Sequence, residues 1–196
     1  MKSSYHLKIY RVNEYDTLPK LKFADAPHSN LNKHYIDILP IFIQLPRGIV
    51  KSDVTCKVLQ VEFNNTDIIL LKKFLINPIE EQIKETVYRN SKKWFDKTFT
   101  MNKIDNSLIS KLSTSLELTV DPNTKFYNQF NSEINPKFIS GVTLLPLIKL
   151  TNLEFIANKF TYHLVLEQAK VNIECVLDTY SIKDDITTIS SAIVSS

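Results

Sequence analysis

The sequence predicts a mainly β protein with one central amphipathic helix, and three observations carry that expectation. Apolar residues alternate in short runs along most of the chain, as half-buried strands require. One stretch alone, Asn77 to Lys97, repeats its apolar residues with a helical period over several turns. The chain of 196 residues holds only two glycines, Gly48 and Gly141. A Walker loop, a GxGxxG turn and a GxSxG nucleophile elbow each need glycine where backbone approaches phosphate or turns sharply. Nucleotide hydrolases, Rossmann enzymes and α/β-hydrolases are therefore excluded together.

In chain order, Tyr5–Val12 alternates and reads as a strand. Residues 13–33 are polar and proline-punctuated, a long loop or an N-terminal extension lying over the sheet. Tyr35–Leu45 is β-branched and apolar, with Pro40 at a sheet edge or dividing two short strands, and Pro46-Arg47-Gly48 makes the turn that follows. Val54–Phe63 reads as a strand with a bulge near Val58-Leu59. Asn64-Asn65 signals a turn and Asp67–Ile76 a return strand, which together make a hairpin.

In the helix, Asn77 suits the N-cap, Pro78 the first position, and Glu80 and Glu81 the positive end of the dipole. Ile79, Ile83, Val87 and Trp94 fall within about 40° of one line on a helical wheel. Arg89, Lys92, Lys93 and Lys97 gather towards its carboxyl end. A second short helix is expected from Asp105 or Asn106, then a strand at Ser115–Val120 and a turn at Asp121-Pro122-Asn123. Val142–Leu150, interrupted by Pro146, precedes a second hairpin, Leu153–Ile156 with Phe160–Glu174, turning at Ala157-Asn158-Lys159. Residues 177–196 are Ser/Thr/Ile-rich and read as a flexible tail, leaving one domain over residues 1–176. Strands, a central helix, then more strands point to a barrel with an inserted helix. An oligonucleotide-binding (OB) barrel fits, with a β-sandwich or jelly roll as the alternative.

Apolar runs are too short for a membrane-spanning helix, and MKSSYHLKIY lacks the apolar core of a secretion signal, so an intracellular location without a membrane partner is expected. Cys56 and Cys175 stand far apart without a CxxC pair and read as reduced, buried thiols. His6, His28, His34 and His163 show no zinc-ligand spacing. The acids Glu80, Glu81 and Glu85 complement a helix dipole rather than forming a reactive pair. No constellation meets the requirements of catalysis, and no enzyme activity, metal or cofactor is expected.

Net charge is +3, and the last twenty residues, with Asp178, Asp184 and Asp185 against Lys183, leave the body more basic than the whole. Cations alternate with rings at Tyr10-Arg11, Lys33-His34-Tyr35, Lys72-Lys73-Phe74, Lys92-Lys93-Trp94-Phe95, Lys125-Phe126-Tyr127 and Lys159-Phe160. Single-stranded nucleic acid is held by such mixtures, cations on phosphates and rings on bases. Trp94 lies on the helix's apolar line and belongs to the core; Phe74 and Phe160 should alternate inward, whereas Tyr35, Phe126 and Tyr127 should be more exposed.

Three stretches resemble a known family: PIFIQLPRGIV (Pro40–Val50), VYRNSKKWFDKTFT (Val87–Thr100) and GVTLLPLIKLTNLEFIANKFTYHLVLEQAKV (Gly141–Val171, with Gln168 near its end). In this order they are similar to the single-stranded-DNA-binding proteins of nucleocytoplasmic large DNA viruses, relatives of a phage replication protein with an OB barrel. The resemblance implies sequence-independent binding of single strands during viral DNA replication or recombination, in host cytoplasm or nucleus, without catalysis. Such proteins often end in a strongly acidic tail, and this chain departs from that with a weakly acidic one. The expected contacts are Arg47, Lys57, Lys72, Lys125 and Tyr127 in the groove, with Arg89, Lys92 and Lys93 at its rim. The expected partner is single-stranded DNA, with RNA, a second copy of the chain and replication proteins as further candidates. A non-enzymatic virion structural or assembly protein with a β-sandwich fold is the alternative function.

Overall fold

The computed structural model describes residues 8–14, 16–30, 33–51, 57–135 and 140–172. Nine strands form one sheet: β1 (Ile9–Arg11), β2 (His28–Asn30), β3 (Lys33–Gln44), β4 (Gly48–Val50), β5 (Val58–Glu62), β6 (Ser115–Tyr127), β7 (Glu133–Ile134), β8 (Thr143–Ile156) and β9 (Lys159–Asn172). Alternation sets the faces. Leu59 and Val61 of β5 and Leu116 and Leu118 of β6 are wholly buried, while Gln60 and Glu117 between them are exposed.

Five strands close into a barrel. β4 pairs with β5, β5 with β6, β6 with β9, β9 with β8, and β8 returns to β4 through Gly48↔Leu144 and Ile49↔Thr143. The β6–β9 pairing is parallel and the others are antiparallel. β3 and β4 act as one long first strand bent at Leu45-Pro46-Arg47, both laid against β8. Pro146 sits opposite that bend, its carbonyl accepting from the Leu45 N–H at 3.0 Å, so its own missing N–H faces the corner rather than an intact ladder. Gly48 is required here: a Cβ would lie 2.8 Å from the Glu62 carbonyl oxygen and 2.9 Å from the Phe63 ring. The result is an OB-like barrel with its long helix between the second and third barrel strands.

The helix begins earlier than expected. Asp67–Ile76 is not a return strand, and no hairpin joins it to β5. The Asn64 side chain accepts from the Asp67 N–H at 2.8 Å and caps α1 (Asn65–Leu71). A wide π turn at Lys72–Ile76 leads directly into α2 (Asn77–Phe95), so Asn77 is no N-cap. An apolar run of this length satisfies strand and helix patterns alike, and the Asn64 cap decides for helix. The Asn77 N–H reaches back five residues to the Lys72 carbonyl. That widening comes just before Pro78, which has no N–H to give and whose ring crowds the carbonyl four residues earlier.

The apolar line of α2 behaves as the wheel predicts: Ile79, Ile83, Val87 and Trp94 are all buried in the single core cluster. Each fully buried aliphatic side chain contributes about 1.5–3 kcal/mol. The arm before β2 runs along α2. Gln82 accepts from the Leu21 N–H at 2.8 Å, the Trp94 indole donates to the Asp25 carbonyl at 3.2 Å, and Phe23 bridges to Ile38 of β3.

Three smaller expectations also change. The second short helix, α3 (Met101–Ser107), starts at the Thr100 cap rather than at Asp105 or Asn106. Asp121-Pro122-Asn123 is no chain reversal but an irregularity inside β6, where the Asp121 carboxylate accepts from the Asn123 N–H at 2.8 Å. Because β6 continues through it, Phe126 alternates inward and is 5% exposed. Pro40 likewise falls at a register irregularity of one continuous β3. Phe160 is buried, while Phe74, Tyr35 and Tyr127 are half-buried. The expected tail (177–196), His6, Cys56 and Cys175 lie outside the described residues.

Candidate nucleic-acid interface

Beyond the barrel, β3, β8 and β9 extend as a three-stranded platform, and its two faces differ in chemistry. On the face towards α2 and α3, His34, Phe155 and Phe160 are aligned across the strands, with His34 opposite Phe155 and Phe155 opposite Phe160. On the reverse face lie Lys33, Tyr35, Glu154 and His163.

The α2–α3 corner brings further rings to the first face. Asp96 ends α2 in the left-handed conformation (φ 54°), its N–H donating to the Lys92 carbonyl at 3.0 Å. The buried Ser91 hydroxyl donates to the Tyr88 carbonyl and accepts from the Phe99 N–H at 3.2 Å, folding the exit segment back on the helix. Phe99 thereby stacks on Phe95 at 5.6 Å between centroids, Phe95 meets Phe155 at 4.8 Å, and Phe155 stacks on Phe160 at 5.3 Å. Phe95 and Phe99 stay half-buried, with ring surface turned to a cavity of about 560 Å³.

Cations surround these rings. Lys93, Lys97, Lys103, Lys159 and His34 line the cavity, and among its described lining residues the only carboxylate is Asp96. Lys103 sits over the Phe99 ring at 4.8 Å. The Lys159 ammonium donates to the Asn106 carbonyl at 2.6 Å and ties the β8–β9 turn to α3. Lys93 pairs with Asp25 at 3.2 Å, an exposed contact that salt and competing anions screen readily. An apolar, ring-lined floor under a cationic rim can take a flat aromatic group linked to phosphate.

The reverse face fastens the platform. Glu154, almost fully buried, accepts from Tyr35 at 3.2 Å, faces the His163 imidazole at 2.7 Å and pairs with Lys33. One carboxylate thus joins all three strands. Burial works to raise its pKa, but hydrogen bonds from Lys33 and His163 prevail and hold it below the ordinary carboxylate value. Burial and the neighbouring Glu154 raise the Tyr35 phenol. On the core side, the Tyr162 hydroxyl donates to Glu80 at 2.9 Å and anchors α2 to β9; burial first, then that carboxylate, push its pKa well above the ordinary phenol value.

The eight residues expected to contact nucleic acid do not form one surface. Lys93 lines the cavity, with Lys92 exposed one residue away. Arg89 is exposed on α2 and pairs with Glu85. Arg47 is exposed at the β3–β4 bend and Lys72 on the π turn. Lys57 stands at the entrance to β5, and Lys125, paired with Glu133 at 3.4 Å, shares the outer face of β6 with Tyr127. Phe95, Phe99, Phe155, Lys97, Lys103 and His34 were not among the expected contacts. The signal for Phe95 and His34 lay in Lys92-Lys93-Trp94-Phe95 and Lys33-His34-Tyr35, ring-and-cation runs that the fold brings together; Phe99, Phe155, Lys97 and Lys103 stand in no such run.

In barrels of this strand order, oligonucleotides and oligosaccharides are bound on the second and third strands and by the loops joining first to second and fourth to fifth. Here the outer face of β5 and β6 carries Glu62 and Glu117, paired with Lys51 and Lys111. The fourth-to-fifth turn, Ala157-Asn158, instead borders the ring-lined cavity. No protein-family model and no curated protein matches the chain.

Proposed function

We propose that the protein binds single-stranded DNA without sequence preference, in viral DNA replication or recombination. Bases stack on Phe95 and Phe99, and the surrounding lysines hold the phosphates. The observation that carries this reading is the meeting, at the turn between the fourth and fifth barrel strands, of four phenylalanines in mutual ring contact with Lys93, Lys97, Lys103 and Lys159. Rings accept any base, because every base has a π face, and lysines accept any phosphate, so the expected binding is insensitive to sequence. The activity is binding alone, with no reaction, metal or cofactor, and its setting is an intracellular site of replication. Further support comes from the OB-like barrel, a fold in which the turn between fourth and fifth strands is one of the usual ligand contacts.

Fluorescence anisotropy of labelled oligo(dT) at two salt concentrations tests the reading. The expected result is binding at low salt that weakens steeply as salt rises, from release of ions condensed on the strand. A protein that leaves oligo(dT) free at low salt ends it. The same titration with oligo(U) gives the preference between DNA and RNA.

A further inference from the structure

Far from the cavity, the β6–β7 connection is a second place where the chain holds a ring out to solvent. Phe130 is 77% exposed, yet its turn is closely bonded. The Asn128 side chain accepts from the N–H groups of both Phe130 and Ser132, at 2.9 and 3.0 Å. The Asn128 main chain exchanges bonds with Ser132 and Asn131 at 3.0 Å each, and Asn131 takes the left-handed conformation (φ 65°) that asparagine tolerates. The Lys170 ammonium donates to the Asn131 side chain at 2.9 Å, fixing the turn to β9. Such a turn fixes the backbone that carries the ring, so less ordering entropy is lost when something stacks on it.

The surroundings are cationic and aromatic. Tyr127 pairs with Lys170 across β6 and β9, and Lys125 lies two residues back on the same face, opposed by Glu133. A lone exposed apolar side chain needs no explanation. A rigid aromatic turn between two lysines and a tyrosine has the ingredients of a stacking platform.

Resting on the reading of the protein as a single-strand binder, we infer that Phe130 is a second stacking platform for the same strand, with Lys125 and Lys170 on its phosphates. The ten steps along β9 from Phe160 to Lys170 set the two platforms no more than about 33 Å apart, at about 3.3 Å per strand residue and less where the β8–β9 register shifts. A strand that reaches both occupies a site at the longer end of the roughly 4–16 nucleotides usual for one such barrel.

The test compares a short oligo(dT), able to fill the cavity alone, with a twenty-nucleotide one. Phe130→Ala is expected to weaken the long oligomer about tenfold, the effect of one lost stack, and to leave the short one within about twofold. Phe130→Trp is expected to keep the affinity and to lose indole emission when the long oligomer binds, against a background from the buried Trp94 measured in the unsubstituted protein. Unchanged affinity of Phe130→Ala for the long oligomer, or unquenched emission from Phe130→Trp, overturns the second platform while single-strand binding stands. Failure of the unsubstituted protein to bind either oligomer overturns both. Circular dichroism of each variant distinguishes a lost contact from a lost fold.

Discussion

The outer face of β5–β6 and the cavity at the β8–β9 turn are both rimmed by lysines, and they differ in what the lysines do. On β5–β6, Lys51 and Lys111 face the carboxylates of Glu62 and Glu117, so these four charges cancel in pairs. At the cavity, Lys103 stands over the Phe99 ring, Lys97 lines the wall, Lys159 bonds a carbonyl, and Asp96 is the only carboxylate among the described lining residues. Counting lysines does not separate the two regions. Counting what neutralises them does.

The comparison can be broken most directly by charge removal. Replacing Lys97, Lys103 and Lys159 together with Ala should lower the slope of log affinity against log salt by about 2 and weaken oligo(dT) binding on the order of a hundredfold at low salt. The matching set Lys51, Lys57 and Lys111, replaced in the same way, should change that slope by less than about 0.5. If the second set costs more, the binding face is β5–β6. Phe95→Ala should follow in size, losing about 1–3 kcal/mol of oligo(dT) affinity in calorimetry.

The reverse face of the platform sharpens the comparison through pH. The Glu154 carboxyl is held below its ordinary value of 4.5, so the ionised form stabilises the fold. That stability is present above pH 4.5 and disappears as pH falls through the lowered folded value. Glu154→Gln should cost about 1–2 kcal/mol at neutral pH in urea unfolding and flatten the acid limb of the stability profile. The smallest effect is expected on the β5–β6 face, where Glu117→Gln should alter stability and affinity by less than about 0.5 kcal/mol.

Much of the barrel was legible because alternation is a local signal, and Leu59, Val61, Leu116 and Leu118 carry it in every second residue. The burial of Trp94 was legible for the same reason, since two turns of helix relate it to Val87. Asp67–Ile76 was not, because a continuous apolar run fits two periods and the deciding Asn64 cap looks like a hairpin turn. The cavity was less legible still. Phe95 and Phe155 are sixty positions apart, and no pattern along the chain shows that a turn at Asp96 and a register between β8 and β9 will bring their rings into contact. Of the eight expected contacts, Lys93 alone lines it.

The wide turn ahead of Pro78 sets a phase. Leu71, Leu75, Ile79, Ile83 and Val87 recur every fourth residue and are all buried. At 3.6 residues per turn each such step overshoots by about 40°, so a uniform helix would wind its apolar stripe off the barrel. The loosened winding at Lys72–Ile76 returns part of that overshoot where α1 passes into α2. A residue removed there turns everything downstream by about 100°, carrying Trp94 and Phe95 away from the platform. The aim of the cavity is thus set some twenty residues upstream of it, by a π turn whose Lys72 carbonyl waits five residues for its partner.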